Sequence, residues 1–263
     1  MELPEIREAV AKYEDVIARA LEQKYGPPTA EPLKFFWNTL PVRKWDLRDF
    51  MQRYEQSGRY PMSRLERVMH YLFDMKLELY YLEEIDAGLE NMLVYDRGYD
   101  SKHPDEMWDA MPHTCLVRLS LSQTLIVKAR ILWDRIMNFI YYLETGEVLE
   151  SKITGNKSKR KVFFEFIAGS PKWWFLEPYG DMLQKYDESF RTGEVHKASP
   201  LRSQLFGYRL IDDNELLDPL NRAINVIWEN VLLIVSGGKA SHFTDLHAKS
   251  GDITKGIDER YLE

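Results

Sequence analysis

Three long stretches of this chain repeat their apolar residues every three to four positions, which is the period of an α-helix. They cover residues 63–87, 115–143 and 215–235. In the second stretch the apolar residues form a broad stripe along one side of the predicted helix: Leu116, Leu119, Leu125, Ile126, Ala129, Leu132, Trp133, Ile136, Phe139, Ile140 and Leu143. No segment of the sequence alternates apolar and polar residues as clearly as a half-buried strand would. The sequence therefore predicts an all-α fold, a multi-helix bundle with long antiparallel helices.

Start and stop signals predict the shorter helices. A first helix over residues 4–25 is followed by Gly26-Pro27-Pro28, and proline cannot continue the hydrogen-bond ladder of a helix. Asp46 is the predicted cap of a short helix that Ser57-Gly58 closes, because its carboxylate can accept a backbone N–H. The short aromatic run at 162–167 is compatible with either a helix or a strand.

The long helices carry end signals of their own. Ser63 and Glu66 match a capping box at the start of the first one, which we expect to end near Gly88. The pair Gly237-Gly238 is predicted to end the last one. A further helix is predicted to open at Pro171 and to end near residue 190.

Length and composition indicate one globular protein. The chain has 263 residues, of which 44% are hydrophobic and 13% aromatic, so it can bury a core without disulfides or a structural metal. We predict a single helical domain over 1–263, in which 1–60 form a packed N-terminal extension and 237–263 a polar tail. The first ten residues, MELPEIREAV, resemble no secretory signal, and the apolar segment 226–235 is too short to span a bilayer. We therefore expect a cytoplasmic protein without a membrane partner.

The charge of the chain limits the classes of partner. The formal net charge is −7, which argues against a protein that coats nucleic acid without regard to sequence. The negative net charge is compatible with an enzyme that has a local basic cleft. One basic cluster is present, Lys157, Lys159, Arg160 and Lys161, and its plainer interpretation is a solvated loop and helix start.

One polar stretch carries residues suited to phosphodiester chemistry. It runs from Arg191 to Lys197, between two predicted helices, and reads Arg-Thr-Gly-Glu-Val-His-Lys. A histidine such as His196 can take the proton of a ribose 2′-hydroxyl because its pKa lies near neutrality. Arg191 can stabilise charge that grows on the phosphate, and Lys197 and Arg202 would add positive potential. The sequence contains no His-Glu-x-x-His pattern and no cysteine cluster, so we predict no metal and no cofactor.

The pair Arg191 and His196, with Glu194-Val195-His196-Lys197 followed by Leu201-Arg202, resembles the HEPN (higher eukaryotes and prokaryotes nucleotide-binding) superfamily over the second half of the chain. Many of its members carry an Arg-x4–6-His motif in a compact helical bundle. The resemblance implies a metal-independent endoribonuclease, in a toxin or defence setting, with Arg191 and His196 as catalytic residues. It further implies that Glu194, Lys197 and Arg202 bind the RNA, and that two copies form a homodimer around a composite site.

The same spacing occurs at two other places, Arg64/His70 and Arg97/His103. The first pair lies along a predicted helix, and the second lies in a loop that no predicted helix approaches. Only the pair at 191 and 196 has a helix before it and a helix after it.

Other functions remain open on the sequence alone. Arg191 could instead cap the preceding helix and pair with Glu194, which would leave His196 as a surface residue. The chain would then be a non-catalytic helical interaction module or a dimerisation scaffold. A third hypothesis is a small-molecule binder with an aromatic pocket built from residues 173–175, Trp-Trp-Phe.

Overall fold

The computed structural model describes residues 2–27, 40–96, 112–155, 157–186 and 213–241. Within these ranges the regular structure is helical and contains no strand, which confirms the all-α prediction. In chain order the α-helices are α1 (Leu3–Tyr25), α2 (Pro41–Lys44), α3 (Leu47–Ser57), α4 (Leu65–Asp96), α5 (Pro112–Thr145), α6 (Lys159–Ala168), α7 (Pro178–Tyr186) and α8 (Asp213–Val235). Short 3-10 turns occur at Met62–Arg64, Leu149–Lys152 and Trp174–Leu176.

Local capping signals place several helix ends where the sequence predicts them. The Asp46 carboxylate accepts the backbone N–H groups of Arg48 at 2.9 Å and Asp49 at 3.2 Å, and so caps α3. Gly58 ends that helix in the left-handed conformation, with φ of 61°. The Ser158 hydroxyl accepts the backbone N–H of Lys161, and this cap makes the aromatic run at 162–167 part of a helix.

Two predicted boundaries are wrong. Ser63 lies inside the 3-10 turn that precedes α4 and does not stand in front of the helix as its cap. Pro171 does not open a helix, because the chain turns at residues 171–173 and α7 begins at Pro178. Both positions carry residues common at helix starts, and Trp173, in the turn after Pro171, is fully buried.

Helix α4 also runs past its predicted end, and Gly88 explains why. The glycine packs against the side chain of Leu121 on α5, where an added Cβ would lie 3.2 Å from Leu121 Cδ1. Gly88 therefore allows close approach of two helices in the interior of α4 and does not act as a stop.

Contacts between Cα atoms divide the chain into two compact units, and the prediction of a single domain stays a prediction. The described part of the first unit contains α1 to α3, α4 up to Tyr80, α5 from Leu132, α6, and α8 from Ile224. The described part of the second unit contains the remaining turns of α4, α5 and α8, together with α7.

The core of the first unit is built on large aromatic rings. Trp45 stacks on Trp228 of α8, with ring centroids 4.6 Å apart. Phe50 of α3 lies 5.9 Å from Trp228 and 6.0 Å from Phe139 of α5. Helix α3 therefore packs against both α5 and α8, and burial of these rings supplies much of the apolar area that holds the unit together.

The second unit has buried side chains on α7 and an exposed face on α5 where apolar residues alternate with Ser120 and Thr124. Tyr179 and Leu183 of α7 are buried. On α5, Leu116 is 56% exposed and Val127 is 43% exposed. These two residues are eleven positions apart, which is about three helical turns, so they lie on the same face of α5.

A glycine and an arginine close the carboxyl end of α5. Gly146 has φ of 74°, and its N–H donates to the carbonyl of Tyr142 at 2.8 Å. The Arg64 guanidinium lies against this glycine, and an added Cβ would meet Arg64 Nε at 2.7 Å. A cation at this end stabilises a helix because the last carbonyl groups carry partial negative charge there.

We expect Gly146→Ala to destabilise the first unit by more than a change at an uncrowded glycine of the same conformation. A left-handed alanine costs about 1–2 kcal/mol, and the displaced guanidinium would add to this. Gly58→Ala is the matched control, because Gly58 has φ of 61° and no atom within 4 Å of an added Cβ. Urea denaturation measures both variants, and equal losses at the two glycines would contradict a role for the Arg64 contact.

Candidate functional site

The predicted site residues Arg191, Glu194, His196, Lys197 and Arg202 lie outside the described residues. The structure describes the elements on either side of them. Helix α7 ends at Tyr186 before this stretch, and α8 begins at Asp213 after it. A helix therefore precedes the stretch and another follows it in the chain, while residues 187–212 lie outside the described residues and the geometry of the pair stays a prediction.

The rival pair Arg64/His70 is not arranged for shared chemistry. Arg64 Nη1 donates to the carbonyls of Leu143 and Glu144, each at 3.1 Å, so its guanidinium closes the end of α5. His70 is exposed on α4, where its ring meets the edge of Phe73. The other rival pair, Arg97/His103, lies outside the described residues. The prediction that no helix approaches this pair is wrong, because α4 ends at Asp96, immediately before it, and α5 begins at Pro112.

Polar side chains form a cluster around Glu144 at the carboxyl end of α5. The Tyr60 hydroxyl donates to Glu144 Oε1 at 2.7 Å, and Lys172 Nζ lies 2.8 Å from Glu144 Oε2. The Lys172 ammonium also lies 5.5 Å from the centre of the Tyr60 ring. Burial of Tyr60, followed by the nearby negative charge of Glu144, raises the pKa of the phenol.

This arrangement suits a structural role better than acid–base catalysis. A tyrosine phenol is protonated at neutral pH, and the raised pKa of Tyr60 moves its ionisation still further from neutrality, so it acts as a hydrogen-bond donor. The carboxylate of Glu144 already accepts from both Tyr60 and Lys172. The cluster therefore joins the segment before α4 and the turn before α7 to the end of α5.

A buried ion pair lies between α1 and α4, and the sequence analysis did not identify it. Lys76 Nζ donates to Glu14 and, at 2.9 Å, to the carbonyl of Trp45. Glu14 Oε1 accepts the backbone N–H of Leu47 at 2.9 Å. The side chain of Lys76 is 1% exposed, and burial lowers its pKa although the neighbouring Glu14 carboxylate opposes that shift.

The sequence did contain a signal for this pair. Glu14 occupies a position of the apolar stripe of α1, between Val10 and Ile17, where an unpaired carboxylate would not be tolerated. Lys76 likewise falls among the buried positions of α4, beside Met75. A charged residue on a buried helix face predicts an oppositely charged partner, but the sequence does not identify which residue that partner is.

Two of the four residues of the basic cluster at the start of α6 form ion pairs with glutamates. Lys157 pairs with Glu165 at 2.6 Å, and Lys159 pairs with Glu150. Lys152, which precedes the cluster, pairs with Glu147. These ion pairs favour the interpretation of this segment as a solvated loop and helix start over a nucleic-acid surface.

The aromatic run at 173–175 forms part of the core. Trp173 is fully buried, Phe175 is 6% exposed, and their ring centroids lie 6.0 Å apart. The small-molecule hypothesis requires rings that line a cavity, and these two rings are packed against protein instead.

A polar cleft of about 330 Å³ opens beside α3 in the first unit. The residues that line it are all of polar type: Asp49, Gln52, Arg53, Gln56, Ser57 and Ser236. Arg53 donates to Asp49 Oδ1 at 2.8 Å and to Ser236 Oγ at 3.1 Å, so it joins α3 to the residue after α8.

The part of the chain that the structure describes lacks two features, a cluster of metal ligands and a membrane-spanning helix. There, no group of three or more His, Cys, Asp and Glu residues is placed to hold a metal ion. No helix in the same residues has the length and apolar character that crossing a bilayer requires.

We expect the free energy of unfolding to depend on pH through the buried tyrosine Tyr54 of α3. Burial raises the pKa of Tyr54 to about 12, whereas an unfolded tyrosine titrates near pH 10. The folded state then binds this proton more tightly, so the contribution to stability is complete below about pH 10 and is lost as the pH rises to about 12. The free energy of unfolding should fall across that window.

Tyr54→Phe tests this assignment. The variant loses the hydrogen bond from the Tyr54 hydroxyl to the carbonyl of Pro61, which lowers stability by a similar amount at every pH below about 10. It also removes one titrating group, so the fall between about pH 10 and 12 should become shallower. Tyr179, whose pKa burial raises to about 12, would supply part of the remaining slope. An unchanged slope in urea denaturation series would contradict the assignment.

In comparisons with known proteins, the sequence matches no family profile and no curated protein, and the fold matches no solved structure. The resemblance to the HEPN superfamily therefore rests on the sequence pattern around Arg191 and His196.

Proposed function

We propose that this helical protein acts on RNA as a metal-independent endoribonuclease, in a toxin or defence setting, through Arg191 and His196. The observation that carries the proposal is an Arg-x4-His pair in a polar stretch bounded by two helices. The helices on either side, α7 and α8, lend support to that setting. The all-α character of the described residues is also compatible with the bundle that the resemblance implies.

The proposed reaction follows from the chemistry of the two side chains. Neutral His196 takes the proton of a ribose 2′-hydroxyl, and the 2′-oxygen attacks the adjacent phosphorus. The bond from phosphorus to the 5′-oxygen of the next nucleotide breaks, and that oxygen receives a proton. Arg191 stabilises the negative charge that grows on the phosphate, while Lys197, Arg202 and Glu194 contact the RNA.

The products of RNA cleavage test this proposal directly. The purified chain should cut single-stranded RNA and leave a 2′,3′-cyclic phosphate on one fragment and a 5′-hydroxyl on the other, as mass spectrometry would show. An RNA with a 2′-deoxyribose at the cut position should resist, because it lacks the nucleophile. EDTA should leave the rate unchanged. Fragments that carry 5′-phosphates, or cutting of the deoxy substrate, would overturn the mechanism.

The second candidate function is a non-catalytic helical interaction module or dimerisation scaffold. The exposed apolar side chains of Leu116 and Val127 on one face of α5 favour it, since such a face is suited to contact with another helix. Light scattering beside the cleavage assay separates the candidates. The ribonuclease proposal expects a two-fold dimer that cuts RNA, whereas an assembly that leaves RNA intact supports the module.

A further inference from the structure

We draw no further inference here: the strongest candidate, the polar cleft between α3 and the residue that follows α8, carries nothing because Arg53 already pairs with Asp49 and Ser236 across it and its six lining side chains are exposed or half-buried, so no buried unpartnered group among them points to a ligand.

Discussion

Replacement of His196 by alanine is expected to lower the rate of RNA cleavage by about two to four orders of magnitude, because the 2′-hydroxyl loses its general base. Arg191→Ala is expected to lower the rate by about two to three orders of magnitude, since charge on the phosphate is then no longer stabilised. Single-turnover cleavage of a labelled RNA, with enzyme in excess, measures both effects. Binding of the same RNA should change far less in His196→Ala than the rate does.

The chain provides a matched control for this experiment. Arg97 and His103 have a similar spacing but lie outside the second half of the chain that resembles the HEPN superfamily, so His103→Ala should cleave at the original rate. Circular dichroism and denaturation should show intact folding in every variant, because none of the three residues falls on an apolar stripe of the sequence, and substitutions away from the core typically shift stability by about half a kcal/mol or less. Cleavage that persists in both site variants would refute the assignment. Unfolding of either site variant would identify a structural pair.

Lys76→Met is expected to be the most destabilising single change among the polar residues of the first unit. It removes the cation that faces Glu14 and leaves a buried carboxylate with the backbone N–H of Leu47 as its remaining hydrogen-bond donor. Removal of one partner from a buried ion pair costs about 3–5 kcal/mol. Urea denaturation should show a lower midpoint at an unchanged slope, which indicates a loss of stability without a change in the surface exposed on unfolding.

Two further variants separate the effect of the unpaired charge from the effect of a lost side chain. The double variant Glu14→Leu/Lys76→Met removes both charges and should recover part of the loss, because apolar replacements of buried pairs are often tolerated. Asp15→Asn disrupts the neighbouring pair with Arg48, where the two side chains are 63% and 51% exposed, and should cost about 0–1 kcal/mol. A double variant less stable than Lys76→Met would contradict the cost of an unpaired charge and would show that Glu14 stabilises the fold through another contact, such as the hydrogen bond from the Leu47 N–H.

Much of the helical structure could be predicted because its signals are local. A helical stripe depends on residues three to four positions apart, and a cap such as Asp46 acts on N–H groups two and three residues ahead. These signals predicted α1, α3, α5 and α8 to within a few residues. They misplaced the start of α7, which a 3-10 turn precedes, and the end of α4, which continues past Gly88 to Asp96.

The candidate catalytic pair was also identified from a local pattern, the spacing of two residues along the chain. The sequence by itself determined that four residues separate Arg191 from His196 in a polar stretch between two predicted helices, and this supports a chemical hypothesis without defining a site. Whether the two side chains face one cleft depends on contacts across the fold.

Only the tertiary structure decided which distant residues meet. Glu14 and Lys76 are 62 positions apart, and Arg64 reaches carbonyls 79 and 80 positions away. It also decided that Trp173 belongs to the core and that Gly88 allows close helix packing. The physical reason is that burial and charge pairing depend on how helices pack in three dimensions, whereas helical periodicity is set by near neighbours along the chain.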